Sequence, residues 1–156
     1  MRVQDYIANQ TERIAESLCQ FLDSTLPDRL NWSPPSDAGE TRSALQQVGE
    51  CVSVNHTYTK LIRGEVVASP DFPEVAFANL EDAKNQLKGS AHELANALRS
   101  MNDADLERVY SHPRAKMLGA NLILMPLRNM TYHAGQINFI QTLYGDTVFH
   151  VPTNWR

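Results

Sequence analysis

The sequence lacks the basic excess that nucleic-acid binding requires. Its 14 Lys and Arg residues are outnumbered by 18 Asp and Glu residues, so the formal net charge is −4. A protein that binds nucleic acid normally presents a stripe of Lys and Arg, and this class is therefore excluded. The first residues form no apolar signal-peptide core, and no apolar run approaches the ~18 residues of a membrane helix. We expect a cytoplasmic protein that has neither a membrane nor a nucleic acid as partner.

Cysteine is scarce, and the common catalytic motifs are missing. Cys19 and Cys51 are the only two cysteines, which excludes a disulfide framework. Because both lie in apolar helical patterns, we interpret them as buried, reduced thiols. The chain has no glycine-rich phosphate loop, paired CxxC, HExxH or GxSxG motif. No two of its five histidines are three or four residues apart, so no single helix offers a two-histidine metal clamp.

What the sequence does have is helical periodicity over most of its length. A chain of 156 residues with 42% hydrophobic residues fits one domain, which we assign to 1–156. Apolar residues recur at helical spacing in four long segments. These predict helices over 3–22, from about 40 to 63 with Thr41 as the N-cap, over 80–98, and over 118–143.

The segments between these helices predict no convincing sheet. The Ser111-His112-Pro113 stretch is typical of a helix start, since proline is favoured in the first turn. Pro126 predicts a kink inside the last helix, because it removes one backbone hydrogen bond. Gly145 can end that helix in a left-handed conformation, and an irregular tail follows. We therefore expect an all-α four-helix bundle with long loops.

The stretch 129–137 of the last helix carries the most informative polar residues. Asn129 and His133 are four residues apart and share a helix face, and Gln136 lies one turn further on. Polar groups on the inner side of so apolar a helix need partners. From spacing alone, a hydrogen-bonded polar network and a metal site both remain open.

These residues also belong to a motif. Tyr132-His133-Ala134-Gly135-Gln136-Ile137, followed by Leu143-Tyr144-Gly145-Asp146, resembles the last-helix motif of the DinB-like superfamily. The Trp32-Ser33-Pro34 loop and the helix from Ser43 to Asn55 resemble the same family, so the resemblance covers nearly the whole chain. It implies an up-down-down-up four-helix bundle that is often dimeric. It also implies, for many members, a divalent metal bound by one histidine of the second helix and an HxxxH pair of the fourth. Some members are metal-dependent transferases that act on low-molecular-weight thiols.

The sequence departs from this metal motif at two of its three positions. His133 matches the second histidine of the HxxxH pair, whereas Asn129 takes the place of the first and Glu50 that of the second-helix histidine. The implied ligands for zinc or nickel are therefore Glu50, Asn129 and His133. A neutral amide is a poor ligand for these metals, so metal binding should be weak or absent. The alternative is a metal-free cluster in which Glu50 pairs with His133.

Other pocket candidates are His56, Gln136 and Arg128. His56 lies about 120° around the helix from Glu50, so both cannot face one site, and we expect it at the surface. Arg128 adjoins Asn129 and is a candidate for holding an anionic substrate. Tyr132 is interpreted as a core aromatic residue.

Three functions remain open after these observations. The first is a metal-dependent transferase or hydrolase, the second a non-catalytic module that binds a small, thiol-type ligand, and the third a structural dimer. The apolar arcs of the second and last helices are wider than one bundle core needs, so we expect a homodimer.

Overall fold

Helices make up 62% of the computed structural model, which describes residues 1–37, 39–69 and 72–155. This content confirms the expectation of a mostly helical protein. The helices are α1 (Val3–Asp23), α2 (Ala44–Ile62), α3 (Leu80–Ser100), α4 (Asp103–Glu107), α5 (Gly119–Leu122) and α6 (Met125–Leu143). Two short 3-10 turns lie outside these helices, Pro27–Arg29 between α1 and α2 and Thr153–Trp155 in the tail.

The start of α2 is set by a capping box around Ser43. The Ser43 hydroxyl accepts a hydrogen bond from the backbone N–H of Gln46, and the Gln46 side chain accepts one from the backbone N–H of Ser43. This exchange satisfies two backbone donors that a helix start leaves open. The prediction of Thr41 as the cap is therefore wrong by two residues. The Thr41 hydroxyl instead bonds to the carbonyl of Pro34.

The expectation of no sheet is wrong between α4 and α5. Strands β1 (Val109–His112) and β2 (Ala115–Leu118) form an antiparallel hairpin. Ser111-His112-Pro113 does not begin a helix, because Pro113 lies in the hairpin turn. Nδ1 of His112 accepts the backbone N–H of Arg114, 3.2 Å away, and this bond closes the turn.

The last helix begins later than predicted. The chain forms the short helix α5 and then turns at Ile123 and Leu124 before α6 begins at Met125. Pro126 consequently lies in the first turn of α6, where its missing N–H costs no helical hydrogen bond. The predicted kink inside the helix is wrong for this reason. Gly145 has φ +101° just after α6, which agrees with the predicted left-handed end.

The four long helices form a ring in which α1 and α2 do not pack closely. Each of these two helices packs instead against both α3 and α6. The buried side chains form two clusters along the bundle. One contains the C-terminal half of α1, the N-terminal halves of α2 and α3, and the stretch of α6 from Met130 to Ile137. The other contains the opposite halves of α1, α2 and α3 together with Leu122 and Ile123.

Both cysteines lie in this interior. Cys19 and Cys51 are buried and unpaired, and burial raises the pKa of the Cys19 thiol to about 11. Burial raises the pKa of Cys51 as well. In the part of the chain that the structure describes, no helix has the length and apolar character needed to cross a membrane.

Gly119 provides a test of the packing between α4 and α5. A Cβ atom at this position would overlap the backbone carbonyl of Asp105, and rigid backbone cannot move aside. We expect Gly119→Ala to lower the free energy of unfolding by about 1–3 kcal/mol, the usual cost of overpacking.

Gly89→Ala is the matched control for this substitution. Gly89 lies inside α3 and a Cβ there would meet open space, so the change should raise stability by about 0.5–1 kcal/mol. Urea unfolding of both variants measures the difference. Equal stabilities of Gly119→Ala and the parent protein would contradict the close approach.

Candidate functional site

The structure brings Glu50 and His133 together between α2 and α6. The Oε1 atom of Glu50 lies 3.2 Å from Nε2 of His133. Glu50 is partly exposed, whereas the His133 side chain is only 3% exposed. The predicted approach of these two residues is therefore present in the fold. Whether they bind a metal stays a prediction.

Two glutamine side chains orient the His133 ring through its other nitrogen. Nδ1 of His133 contacts the side-chain oxygen of Gln47 and lies 2.8 Å from that of Gln136. Both partners are placed as acceptors, so Nδ1 carries the proton. Burial lowers the pKa of His133, the hydrogen bond to Gln136 opposes this, and the nearby Arg42 lowers it further. The lowered pKa favours the neutral ring, in which a proton on Nδ1 leaves the lone pair on Nε2.

The lone pair on Nε2 has no satisfactory partner. Despite the 3.2 Å distance, the contact with Glu50 lacks hydrogen-bond geometry, and Nε2 is a buried nitrogen without a hydrogen bond. The buried Oδ1 of Asn129 is also without a partner. Nδ2 of the same side chain lies 3.4 Å from Oε1 of Glu50. Two buried acceptors of the cluster therefore have no donor, which is costly in a buried site.

Arg42 occupies the second oxygen of Glu50. Its guanidinium forms an ion pair with Oε2, and its side chain is 55% exposed. Sequence reasoning missed Arg42, because it precedes α2 and no helical periodicity relates it to the site. It also missed Gln47, although that residue precedes Glu50 by three positions and therefore shares its helix face.

Two clefts meet at this ion pair. The first, here called the α6 cleft, has a volume of about 570 Å³ and reaches Glu50 and His133. The second, here called the 72–75 cleft, has a volume of about 530 Å³ and lies beside Phe72 to Val75. Arg42 and Glu50 line both clefts.

The wall of the 72–75 cleft comes unusually near α2 at Gly49. A Cβ atom on Gly49 would lie 2.8 Å from the carbonyl oxygen of Val75. Only glycine permits this approach without a shift of the backbone. The residue next to Glu50 therefore sets how closely the connection between α2 and α3 runs over the site.

The remaining predicted site residues fall into two groups. Gln136 belongs to the site through its hydrogen bond to His133. His56 is exposed and lies 3.8 Å from Glu93 of α3, as expected of a surface residue. Arg128 is exposed and lines neither cleft. Tyr132 is not a core residue, because its side chain is exposed and packs edge-on against the His133 ring at the α6 cleft.

Comparison with known families identifies the chain. A model of the DinB superfamily matches residues 10–137, which span all of α2 and α3 and the part of α6 that carries His133. The chain belongs to the DinB superfamily. No curated protein matches it.

The side chains at the metal position that the superfamily implies are Glu50, Asn129 and His133. Among the described residues, no group of three or more His, Cys, Asp or Glu side chains is placed to hold a metal ion. Glu50 and His133 supply two ligands, and Asn129 supplies only an amide. Arg42 already neutralises one oxygen of Glu50. This set does not fit a tightly held transition metal, for which anionic or imidazole ligands are preferred.

The tautomer of His133 is a direct test of this geometry. We expect long-range ¹H–¹⁵N correlation spectra at pH 7 to show a protonated Nδ1 and an unprotonated Nε2. Exposed His56, with no such pair of acceptors, is the control and should show the tautomer mixture of a solvated ring. A proton found on Nε2 of neutral His133 would contradict the assigned hydrogen bonds to Gln47 and Gln136.

Proposed function

We propose that this DinB superfamily protein binds a small organic molecule in the α6 cleft and does so without a resident metal. The observation that carries the proposal is the Arg42–Glu50 ion pair. A metal cation would be attracted here by the negative charge of Glu50. The guanidinium of Arg42 already compensates this charge, so the attraction for a further cation is weaker.

The shape and lining of the α6 cleft support this proposal. A volume of about 570 Å³ lies within the usual range of about 300–1,000 Å³ for small-molecule pockets. Its polar floor is formed by Arg42, Gln47, Glu50, His133 and Gln136. The lining also has an apolar part, which consists of Pro34, Tyr132, Phe139, Ile140 and Leu143. A few converging polar groups beside an apolar wall are typical of a ligand site.

A second candidate keeps the metal and makes the protein a metal-dependent transferase or hydrolase. It is supported by the two buried acceptors without partners, Nε2 of His133 and Oδ1 of Asn129. With Glu50 they would form a weak zinc or nickel site. A bound metal would supply Lewis-acid activation of a thiol or a water, in keeping with the thiol-type ligands of some superfamily members.

We also propose the order of the four long helices and the oligomeric state of the protein. The two buried clusters support an up-down-down-up order of α1, α2, α3 and α6, because each cluster joins the ends of the helices that this order places together.

Exposed apolar residues in the tail, Val148, Phe149 and Val151, support a homodimer. A monomer mass by light scattering at tens of micromolar would contradict the dimer.

Mapping of ligand contacts tests the proposed function. A library of small amphipathic molecules is added to ¹⁵N-labelled protein in the presence of a chelator. We expect a subset to shift the side-chain amide signals of Gln47 and Gln136, because both line the α6 cleft. The exposed amide of Asn96, which bonds to His92 on α3, is the internal control. Shifts confined to surface amides such as Asn96 would contradict a ligand site in this cleft.

Restoring the superfamily ligands separates the two candidates. The double variant Glu50→His with Asn129→His should bind zinc or nickel at least ~100-fold more tightly than the parent, since two poor ligands become imidazoles. Titration calorimetry measures both proteins after removal of bound metal. A parent that already binds zinc as tightly as the variant would support the metal-dependent candidate. A folded variant with no gain would show that positions 50, 129 and 133 do not converge.

A further inference from the structure

The α6 cleft offers a ligand one exposed guanidinium and three exposed side chains with large apolar surfaces. The Arg42 side chain is 55% exposed, and Tyr132, Phe139 and Leu143 are 64%, 62% and 49% exposed. His133 also lines the cleft, but its side chain is only 3% exposed. The accessible side chains, rather than the buried His133 ring, therefore indicate which class of molecule the cleft can bind.

The guanidinium of Arg42 has unused hydrogen-bond donors. It carries five N–H groups in a planar fork, and Nη1 is the nitrogen that contacts Oε2 of Glu50. Among the residues that the structure describes, no second acceptor bonds to Arg42. The Glu50 carboxylate beside it is 22% exposed and presents acceptor oxygens. A donor and an acceptor thus lie side by side at this end of the cleft, and a matching head group needs one of each.

The charges at this end of the cleft favour an uncharged head group. Arg42 and Glu50 neutralise each other, and the exposed Glu40 adds one further carboxylate to the lining. A carboxylate or phosphate ligand would approach two carboxylates, and an ammonium ligand would find Glu50 already paired. An uncharged group that forms hydrogen bonds avoids the cost of an unbalanced charge in the cleft.

We propose that the α6 cleft binds a primary carboxamide with a long apolar chain, its carbonyl oxygen at Arg42 and its NH₂ group at Glu50. This inference rests on the proposed function, in which the cleft takes a small molecule, and it adds the class of that molecule. A carboxamide has an acceptor oxygen and a donor nitrogen in one plane and carries no charge. It therefore matches the guanidinium and the carboxylate of the ion pair at the same time.

The apolar chain is indicated by the exposed face of α6. Tyr132, Phe139 and Leu143 follow one another at spacings of seven and four residues, so they share a helix face and span about 16 Å along the helix axis. No Asp, Glu, Lys or Arg occurs from Asn129 to Gly145. A single ring would cover one of the three side chains, whereas an extended chain buries apolar surface on all of them.

Contacts within the site place its polar end next to Tyr132. The Tyr132 ring packs edge-on against His133, with the ring centroids 5.4 Å apart. Nε2 of His133 lies 3.2 Å from Oε1 of Glu50, and the other oxygen of Glu50 holds Arg42. The ion pair therefore adjoins the Tyr132 end of the apolar face. The order along the cleft is carboxamide, Tyr132, Phe139 and Leu143.

Probes with one chain and three head groups test the inference. Octanamide, octylamine and octanoate are titrated into the ¹⁵N-labelled protein at pH 7 with a chelator present, and the shifts of the Gln47 and Gln136 side-chain signals give Kd. We expect octanamide to bind at least about tenfold more tightly than either charged probe, the difference that one hydrogen bond provides. Butanamide covers less of the apolar face and should bind at least about tenfold more weakly than octanamide.

Two variants show where the head group binds. Arg42→Gln should lower the affinity for octanamide by at least about tenfold, because the guanidinium donors are lost. The same change should raise the affinity for octylamine, because Glu50 then lacks its counter-charge. Arg63→Gln, at the exposed end of α2 and outside the α6 cleft, is the matched control and should bind all probes as the parent does. If Arg42→Gln does not fold, the comparison of the probes on the parent protein decides the question.

The outcomes separate this inference from the function on which it rests. Octylamine or octanoate binding as tightly as octanamide would overturn the carboxamide assignment and leave small-molecule binding intact. It would also be overturned if Arg42→Gln left octanamide binding unchanged, or weakened octanamide and octylamine to the same extent. Equal affinities for octanamide and butanamide would overturn the place of the chain on α6. If neither the probes nor the ligand library perturb Gln47 and Gln136, the proposed function itself is wrong.

Discussion

The site depends on the hydrogen bond between Nδ1 of His133 and the side-chain oxygens of Gln47 and Gln136. This bond joins α2 to α6 inside the bundle and decides which ring nitrogen bears the proton. With that nitrogen fixed, the opposite one turns its lone pair toward Glu50. This orientation leaves Nε2 of His133 beside Oε1 of Glu50, while Arg42 contacts the other oxygen of the same carboxylate.

Much of the helical frame could be predicted, because it depends on local patterns. The bounds of α1 and α3 follow from apolar periodicity. The β1–β2 hairpin escaped prediction because a serine and a histidine before Pro113 suit a helix start and a turn equally well. Its strands are only four residues long. The choice between a helix start and a hairpin turn depends on bonds of the folded state, such as that from the Arg114 amide to His112.

The candidate site was predictable to the extent that it lies on helices. Asn129, His133 and Gln136 share a face by spacing alone, and Glu50 was placed opposite them through the superfamily motif. Arg42 could not be found in this way, since its position depends on the path of the loop before Ser43. Tyr132 was wrongly predicted to be a core residue for a related reason. An exposed aromatic side chain on an uncharged helix face cannot be told from a buried one until the neighbouring helices are known.

The close approach at Gly49 has a consequence for access to the site. Because the carbonyl of Val75 comes so near to this glycine, residues 72–75 form one wall of a cleft that reaches Glu50. The Glu50 carboxylate therefore lies at the boundary between the 72–75 cleft and the α6 cleft, and it lines both of them. Arg42 is half exposed and is held at this boundary by its ion pair with Glu50. Because both clefts are lined by Arg42 and Glu50, a substitution at either residue would reshape the two clefts together.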